Sequence, residues 1–125
     1  MMELLATLTQ RQKAAVTHGS GPLLVIAGAG SGKTRVLTYR IAYLIKHGSV
    51  RPDQILAVTF TNKAAQEMKE RVSQLVGGIA QGIWVSTFHS TCVRILRAHA
   101  AKFGYQANFQ IFDTSDQLVV IREVL

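Results

Sequence analysis

A glycine-rich run early in the chain has residue types and spacing that suit phosphate binding. The run reads Ala27-Gly28-Ala29-Gly30-Ser31-Gly32-Lys33-Thr34. Its alternating glycines allow the backbone to curl around an anion and to point N–H groups inward without an obstructing Cβ. Lys33 can reach the β- and γ-phosphates, and the Thr34 hydroxyl is placed to coordinate Mg²⁺. The run predicts a nucleoside triphosphate site, although the general pattern opens with glycine where this chain has Ala27.

The segments around this run predict the strand and helix that a phosphate loop requires. Residues 23–27 are apolar and predict a first strand, and helical spacing of apolar residues continues from the loop to about residue 47. The N-terminus of that helix adds the positive end of its dipole to the site. A shorter helix is expected over residues 9–18.

The rest of the chain alternates apolar runs with helical patterns. Further strands are expected at 55–60, 83–85 and 109–112. Further helices are expected at 61–76, from 86 or 87 to about 103, and from 114 or 115 to the end. This alternation favours an α/β fold with a mainly parallel sheet, flanked by helices and carrying its ligands at the carboxyl ends of the strands.

Composition narrows the class of protein. The 125 residues are 48% hydrophobic, which fits about one globular domain rather than a disordered segment. The single cysteine, Cys92, rules out an internal disulfide and suits a cytoplasmic location; we interpret it as a buried small hydrophobe. No apolar run approaches the roughly 18 residues of a membrane span, and the start lacks secretory-signal features, so no membrane partner is expected.

The charge of the chain is strongly positive. Its formal net charge is +7, and no acidic residue stands between Leu4 and Pro52. A positive surface favours polyanions, of which nucleic acid is the usual one. The alternatives are that some of these cations serve the nucleotide phosphates, or that they pair with acids elsewhere in a longer protein.

Gln12 is a candidate for contact with a nucleotide base. It lies on the predicted short helix ahead of the glycine-rich run. Its amide offers donor and acceptor groups that match N6 and N7 of adenine. The alternative is a solvated surface glutamine.

A second cluster stands where the strand at 55–60 meets the following helix, and it reads Thr59-Phe60-Thr61-Asn62-Lys63. Phe60 can stack on a base, while Thr61, Asn62 and the helix amides hold phosphate, an arrangement that suits a single nucleic-acid strand. The alternative places Phe60 in the core and makes Asn62 a helix cap.

The run Ser86-Thr87-Phe88-His89-Ser90 repeats this chemistry after the next predicted strand. Thr87, Phe88 and His89 are therefore further candidates for nucleic-acid contact. His89 alternatively serves as a capping or packing residue, and it lacks the neighbouring cysteine or histidine that a metal site would need.

Taken together, these segments resemble the N-terminus of the UvrD/Rep/PcrA group of superfamily 1 DNA helicases, from Leu8 to the end of the chain. The resemblance implies a P-loop NTPase (RecA-like) fold, truncated, with residues 1–125 forming the N-terminal portion of the ATP-binding domain. In that family Ala27 is the usual first residue of the phosphate loop, the glutamine matching Gln12 contacts adenine, and Arg35 follows the loop.

The resemblance also implies a function. The runs 59–63 and 86–90 correspond to the family's motifs Ia and Ib, which line the single-stranded DNA track. The family uses ATP and Mg²⁺ to move 3′→5′ along one strand and to separate the duplex ahead, in DNA repair or replication. Single-stranded DNA and single-strand/duplex junctions are thus the expected partners.

By the same resemblance, the acidic motif and the transition-state arginines lie beyond residue 125, in the remainder of the helicase. Hydrolysis depends on such groups, so we expect this chain alone to bind nucleotide weakly and to hydrolyse ATP negligibly. The last predicted helix ends without a terminator, which suggests the front of a longer protein. Open sheet edges and uncovered apolar faces would then favour self-association.

Two other classes of protein remain open. One is a P-loop phosphotransferase or GTP switch, although Ala65 stands where the guanine-reading Asn-Lys-x-Asp motif needs aspartate. The other is a nucleic-acid-binding module without motor function, whose binding to single strands would survive loss of Lys33 and fall steeply with salt.

Overall fold

The computed structural model describes residues 2–125, which form two compact units, one ending at Phe88 and one comprising His89–Leu125. Placement of residues 1–125 in one motor domain stays a prediction. The first unit contains helices α1 to α4 and two strands, and α5 starts at its last residue. In chain order the elements are α1 (Met2–Leu5), α2 (Gln10–Thr17), α3 (Lys33–Lys46), β1 (Leu56–Thr59), α4 (Asn62–Val76), β2 (Trp84–Thr87), α5 (Phe88–His99) and α6 (Thr114–Val124).

The two strands form a parallel sheet with α4 as the crossover between them. The register pairs Leu56 with Trp84 at one end and Thr59 with Thr87 at the other. A pair of parallel strands needs a crossover connection, and the helical pattern after β1 predicted the helix that provides it. The mixed α/β class and two of the four expected strands are thereby confirmed.

The larger hydrophobic core joins the sheet to α3 and α4. Its buried side chains come from one face of each helix, from both strands and from the turn before β2. They are Ile41, Ala57, Ala65, Met68, Val72, Ala80, Ile83 and Val85. Val72 is fully buried, and Met68 is only 3% exposed, so α4 supplies the centre of this core.

A smaller core lies on another side of α3. It consists of Leu8, Val16 and Val36, with Tyr39 and other partly buried side chains packed against it. Helix α2 is too short to be stable in isolation, and burial of Val16 against α3 gives it tertiary support. Helix α3 is therefore shared by both cores.

The strand expected at residues 23–27 does not form. The segment has no regular secondary structure, and within residues 2–125 no backbone hydrogen bond pairs it with another segment. Its side chains still alternate as in a strand, with Leu23 40% exposed and Leu24 83% exposed. A strand needs a hydrogen-bonded neighbour as well as an apolar pattern, and no neighbour pairs with this segment in the described part of the chain.

Three expectations for the second unit also need correction. Residues 109–112 form no strand, again without a pairing partner among the described residues. The long helix ends earlier than expected, at His99, and a 3₁₀ turn, Ala100–Phe103, follows. Cys92 is exposed rather than buried.

No helix among residues 2–125 has the length and apolar character needed to cross a bilayer.

Met68→Ala tests the larger core. Removing this buried side chain should lower the free energy of unfolding by about 2–5 kcal/mol, because it loses apolar burial and leaves a cavity. Urea titration followed by circular dichroism measures the change. Lys69→Ala is the matched control, since Lys69 is exposed on the same helix and should change stability by less than about 0.5 kcal/mol. Equal effects of the two substitutions would contradict this account of the core.

Candidate functional site

The glycine-rich run forms a tight turn before α3. Gly30 and Gly32 have φ values of +74° and +85°, which side-chain-bearing residues rarely adopt. The Ser31 backbone N–H donates to the Gly28 carbonyl oxygen at 3.3 Å, and the Ser31 hydroxyl donates to the same oxygen. The loop is therefore curled as phosphate binding requires, with Ser31 fastened across the turn.

Lys33 and Thr34 open α3 at the end of this loop. Both are exposed, and the first turn of the helix contains no acidic residue. The side chain of Lys33 makes no hydrogen bond or ion pair with any residue in the range 2–125. Helix N-termini carry unpaired N–H groups, so the exposed ammonium of Lys33 and these donors lie next to each other. This arrangement suits an anion.

The other predicted loop residues form the approach to this helix. Ala27 is partly buried, whereas Gly28 and Ala29 are exposed. A cavity of about 330 Å³ lies between the preceding segment and α3. It is lined by the apolar side chains of Leu23, Val25, Val36 and Leu37 and by Lys33 and Arg40. The exposed loop and the N-terminus of α3 carry the groups that suit an anion.

Gln12 lies against the glycine-rich loop. Its Nε2 donates to the Ser31 carbonyl oxygen over a long 3.5 Å contact, and a Cβ built on Gly32 would come within 3.0 Å of the same nitrogen. The Gln12 Oε1 accepts from the Thr9 backbone N–H at 3.0 Å, and Thr9 Oγ1 accepts from the Gln12 N–H at 3.3 Å. Gln12 is thus a capping-box residue and a neighbour of the loop, not a free surface glutamine.

Arg35 points back toward the N-terminal segment. Its Nη2 donates to the Thr7 carbonyl oxygen at 3.2 Å and to Thr7 Oγ1 at 2.6 Å, and its guanidinium lies 5.4 Å from the centre of the Tyr39 ring. The structure therefore places Arg35 between α3 and the residues that precede α2. Its predicted contact with nucleotide stays a prediction.

Arg40 was not singled out by the sequence, yet it fixes α2 against α3. Its guanidinium donates four hydrogen bonds, of 2.9–3.4 Å, to carbonyl oxygens of Ala15, Val16, His18 and Gly19. These carbonyls belong to the unsatisfied C-terminal end of α2 and the residues just after it. No local sequence pattern predicts this contact, because the partners of Arg40 are more than twenty residues away along the chain.

The carboxyl ends of the two strands bring a pair of phenylalanines together. Because Thr59 pairs with Thr87, the residues that follow each strand lie side by side. The rings of Phe60 and Phe88 have centroids 5.1 Å apart and planes tilted by 46°. Phe60 is 88% exposed, so the alternative that placed it in the core is wrong. We call Phe60, Phe88 and the start of α4 the aromatic edge.

The polar residues of the first cluster have separate roles at this edge. Thr59 is buried, and its hydroxyl donates to the Thr61 carbonyl oxygen at 3.0 Å. Thr61 caps α4 by accepting from the Ala64 N–H, so the cap is Thr61 rather than Asn62. Asn62 and Lys63 are exposed in the first turn of α4. The exposed amide, ammonium and helix terminus are the groups that face solvent here.

The second cluster is divided between the two units. Thr87 is buried at the end of β2, and Phe88 completes the aromatic edge. His89 is exposed and belongs to the second unit, where it lines a groove with Arg94, Arg97 and other residues of α5. Phe88 therefore belongs to the aromatic edge of the first unit, and His89 is described with the second unit.

Within residues 2–125, neither the glycine-rich loop nor the aromatic edge contains an acidic residue. Asp53, just before β1, forms an exposed 3.0 Å ion pair with Arg51. The hydrogen bond from Arg51 lowers the pKa of the Asp53 carboxyl, and the same bond raises the pKa of the guanidinium. Within residues 2–125 no group of three or more His, Cys, Asp or Glu side chains could hold a metal ion.

A curled glycine-rich loop at a helix N-terminus is a feature of many phosphate-binding proteins. Comparison with known proteins makes this more specific. The family model described as the UvrD/REP helicase N-terminal domain matches residues 8–125. The chain therefore belongs to this family, as the resemblance predicted.

Named relatives agree with that assignment. Proteins from Staphylococcus aureus strain Mu50 and from a strain of Staphylococcus epidermidis, both called ATP-dependent DNA helicase PcrA, are each 58% identical to this chain over 125 residues. The matches cover 100% of this chain and 17% of each relative. The chain thus spans about a sixth of the length of these relatives.

Gly32→Ala tests the conformation of the loop. An alanine at φ +85° is strained, and its Cβ would press on Gln12 Nε2, so the free energy of unfolding should fall by about 1–2 kcal/mol. Gly19→Ala is the control, because Gly19 lacks a positive φ and has open space around its Cβ position. Urea titrations of both variants measure the difference. A Gly32→Ala variant as stable as Gly19→Ala would show that the loop does not hold this conformation.

Proposed function

We propose that this chain is the ATP-binding and single-stranded-DNA-binding part of an ATP-dependent 3′→5′ DNA helicase that acts in DNA repair or replication in the cytoplasm. Membership of the UvrD/REP family supports the class. The observation that carries the proposal is the Gln12 amide against a curled loop that ends at the exposed Lys33. A candidate for contact with the base thus lies against a loop that is a candidate for contact with the phosphates.

ATP would bind with its phosphates in the loop formed by residues 28–34. The Lys33 ammonium and the first-turn N–H groups of α3 would hold the β- and γ-phosphates. Mg²⁺ would be held by the Thr34 hydroxyl together with phosphate oxygens, and when bound it neutralises charge on the phosphates. The exposed hydroxyl at the helix start fits this role. Lys33 and Thr34 are the catalytic residues of the proposal.

The same proposal explains why the segment at residues 23–27 is apolar but unpaired. In a P-loop NTPase (RecA-like) fold this segment is a strand of a larger parallel sheet. Its alternating exposure suits a strand, and the relatives are long enough to supply neighbouring strands. Pairing would bury Leu24 and Ile26 and would hold the start of the phosphate loop.

Single-stranded DNA would bind along the aromatic edge. The exposed ring of Phe60, supported by Phe88, offers a face on which a base can stack. Asn62, Lys63 and the N-terminus of α4 lie beside it and would hold backbone phosphate. The excess of basic residues over acidic ones adds long-range attraction to DNA. His89 is a further candidate for contact with DNA.

Lys33→Ala tests nucleotide binding. Loss of the ammonium should weaken ATP binding by roughly 10- to 150-fold, the range of one charge-assisted hydrogen bond. Titration of a fluorescent ATP analogue by anisotropy measures the affinity. Lys46→Ala is the matched control, because Lys46 is exposed at the opposite end of the same helix. Competition by GTP as strong as that by ATP would favour the GTP-switch class instead.

Phe60→Ala tests the DNA track. Removing a stacking platform should weaken binding of a single-stranded oligonucleotide by roughly 5- to 150-fold without changing the salt dependence, since no charge is removed. Phe103→Ala is the control, because Phe103 is exposed in the second unit. Anisotropy titrations of both variants at several salt concentrations give the affinities. Equal losses would place the DNA elsewhere on the chain.

A further inference from the structure

The two ends of the Gln12 side-chain amide are held in opposite chemical environments. On one side the Thr9 backbone N–H, which can only donate, lies 3.0 Å from Oε1. On the other side the Ser31 carbonyl oxygen, which can only accept, lies 3.5 Å from Nε2. Turning the amide over would place two donors together at Thr9 and two acceptors together at Ser31. These neighbours therefore select one of the two orientations of the amide.

Each end of the amide still has hydrogen-bonding capacity. A carbonyl oxygen has two lone pairs and an amide nitrogen has two hydrogens, and the two contacts use one of each. The remaining acceptor and donor match the 6-amino group and N7 of adenine. A 6-oxo purine presents acceptors at both positions, so its oxygen would meet the Gln12 oxygen. The fixed orientation thus favours a 6-amino purine.

The Thr9 side chain holds this arrangement in place. Its hydroxyl accepts from the Gln12 backbone N–H at 3.3 Å, while its own N–H donates to the Gln12 side chain. This reciprocal pair keeps residue 9 at the start of α2 with extended backbone, φ −66° and ψ 164°. Loss of the hydroxyl removes the hydrogen bond that holds residue 9 at the helix start, so the backbone N–H of residue 9 is held less firmly beside the amide.

We propose that Thr9 is a positioning residue that makes Gln12 selective for 6-amino over 6-oxo purine nucleotides. Thr9 acts through Gln12 and need not touch the nucleotide itself. The Ser31 carbonyl contributes from the phosphate loop, so the orientation of the base-reading amide depends on the loop being curled. This inference rests on the proposed binding of ATP and adds the basis of its base selectivity.

ATP and ITP separate the two parts of the argument, since they carry the same triphosphate and differ in a 6-amino or 6-oxo group. Competition against a fluorescent ATP analogue gives both affinities. The unsubstituted chain should prefer ATP by roughly 5- to 150-fold. Thr9→Ala should lower this preference by about fivefold, the equivalent of one N-cap hydrogen bond. Thr9→Ser keeps the hydroxyl and should retain the full preference.

The direction of the ITP change distinguishes positioning from loosening. An amide released by Thr9→Ala can direct its NH₂ group at both acceptors of a 6-oxo purine and turn its oxygen away, so ITP should bind the variant more tightly than it binds the unsubstituted chain. General loosening of α2 or of the loop would weaken both nucleotides. Weaker ITP binding by Thr9→Ala would therefore overturn the proposal, as would an unchanged ATP preference.

Gln12→Glu is a second variant that does not depend on the helix cap. Glutamate retains an acceptor for the Thr9 N–H in the capping box but has no N–H for N7 of the base. Its preference for ATP over ITP should remain, because the carboxylate still accepts from a 6-amino group and repels a 6-oxo group, whereas its affinity for ATP should fall because the carboxylate repels N7. Its melting temperature should stay close to that of the unsubstituted chain. Loss of the preference would contradict the role of the Gln12 acceptor oxygen.

The unsubstituted chain distinguishes failure of this inference from failure of the proposed function. Equal and measurable affinities for ATP and ITP would overturn the selectivity and leave triphosphate binding intact. No binding of either nucleotide would overturn the proposed nucleotide site, and this inference with it.

Discussion

Helix α3 takes part in both hydrophobic cores of the first unit, and the position of the candidate nucleotide site depends on that constraint. Ile41 belongs to the core shared with α4 and the sheet, whereas Val36 belongs to the core under α2. Because protein interiors are close-packed, α3 cannot shift within one core without disturbing the other. The N-terminus of α3, which carries Lys33, is therefore held in a defined place beside the loop.

Polar contacts then orient the side chains that hydrophobic packing brings close together. Arg40 binds the carbonyls at the end of α2, and Arg35 binds Thr7 ahead of it, so both ends of the α2 region are tied to α3. These hydrogen bonds help to place Gln12 beside the loop, where Ser31 and Thr9 form hydrogen bonds with its side-chain amide. A hydrogen bond to a carbonyl has a preferred direction, which apolar contact lacks. Base selectivity would follow from this directionality.

The helices and the strands differ in how well local sequence predicted them. Helices α3 and α4 have long apolar patterns at helical spacing, and both form close to their expected bounds. Residues 23–27 have an equally apolar pattern and form no strand, because helical hydrogen bonds are internal to a segment whereas a strand depends on a neighbour. The exposure of Cys92 was missed for a related reason, since burial depends on what packs over a residue.

Local sequence was sufficient to predict the groups that are defined over a few residues. These are the glycine-rich loop, the lysine at the start of α3 and the Thr9–Gln12 spacing, whose capping box was readable but overlooked. The exposure of Phe60 beside Phe88 and the contact of Gln12 with Ser31 depend on tertiary contacts that no local pattern predicts. The difference is the separation of the interacting residues along the sequence. Turn and helix preferences act between residues up to four apart, whereas strand register and helix packing bring together residues that are far apart in the sequence.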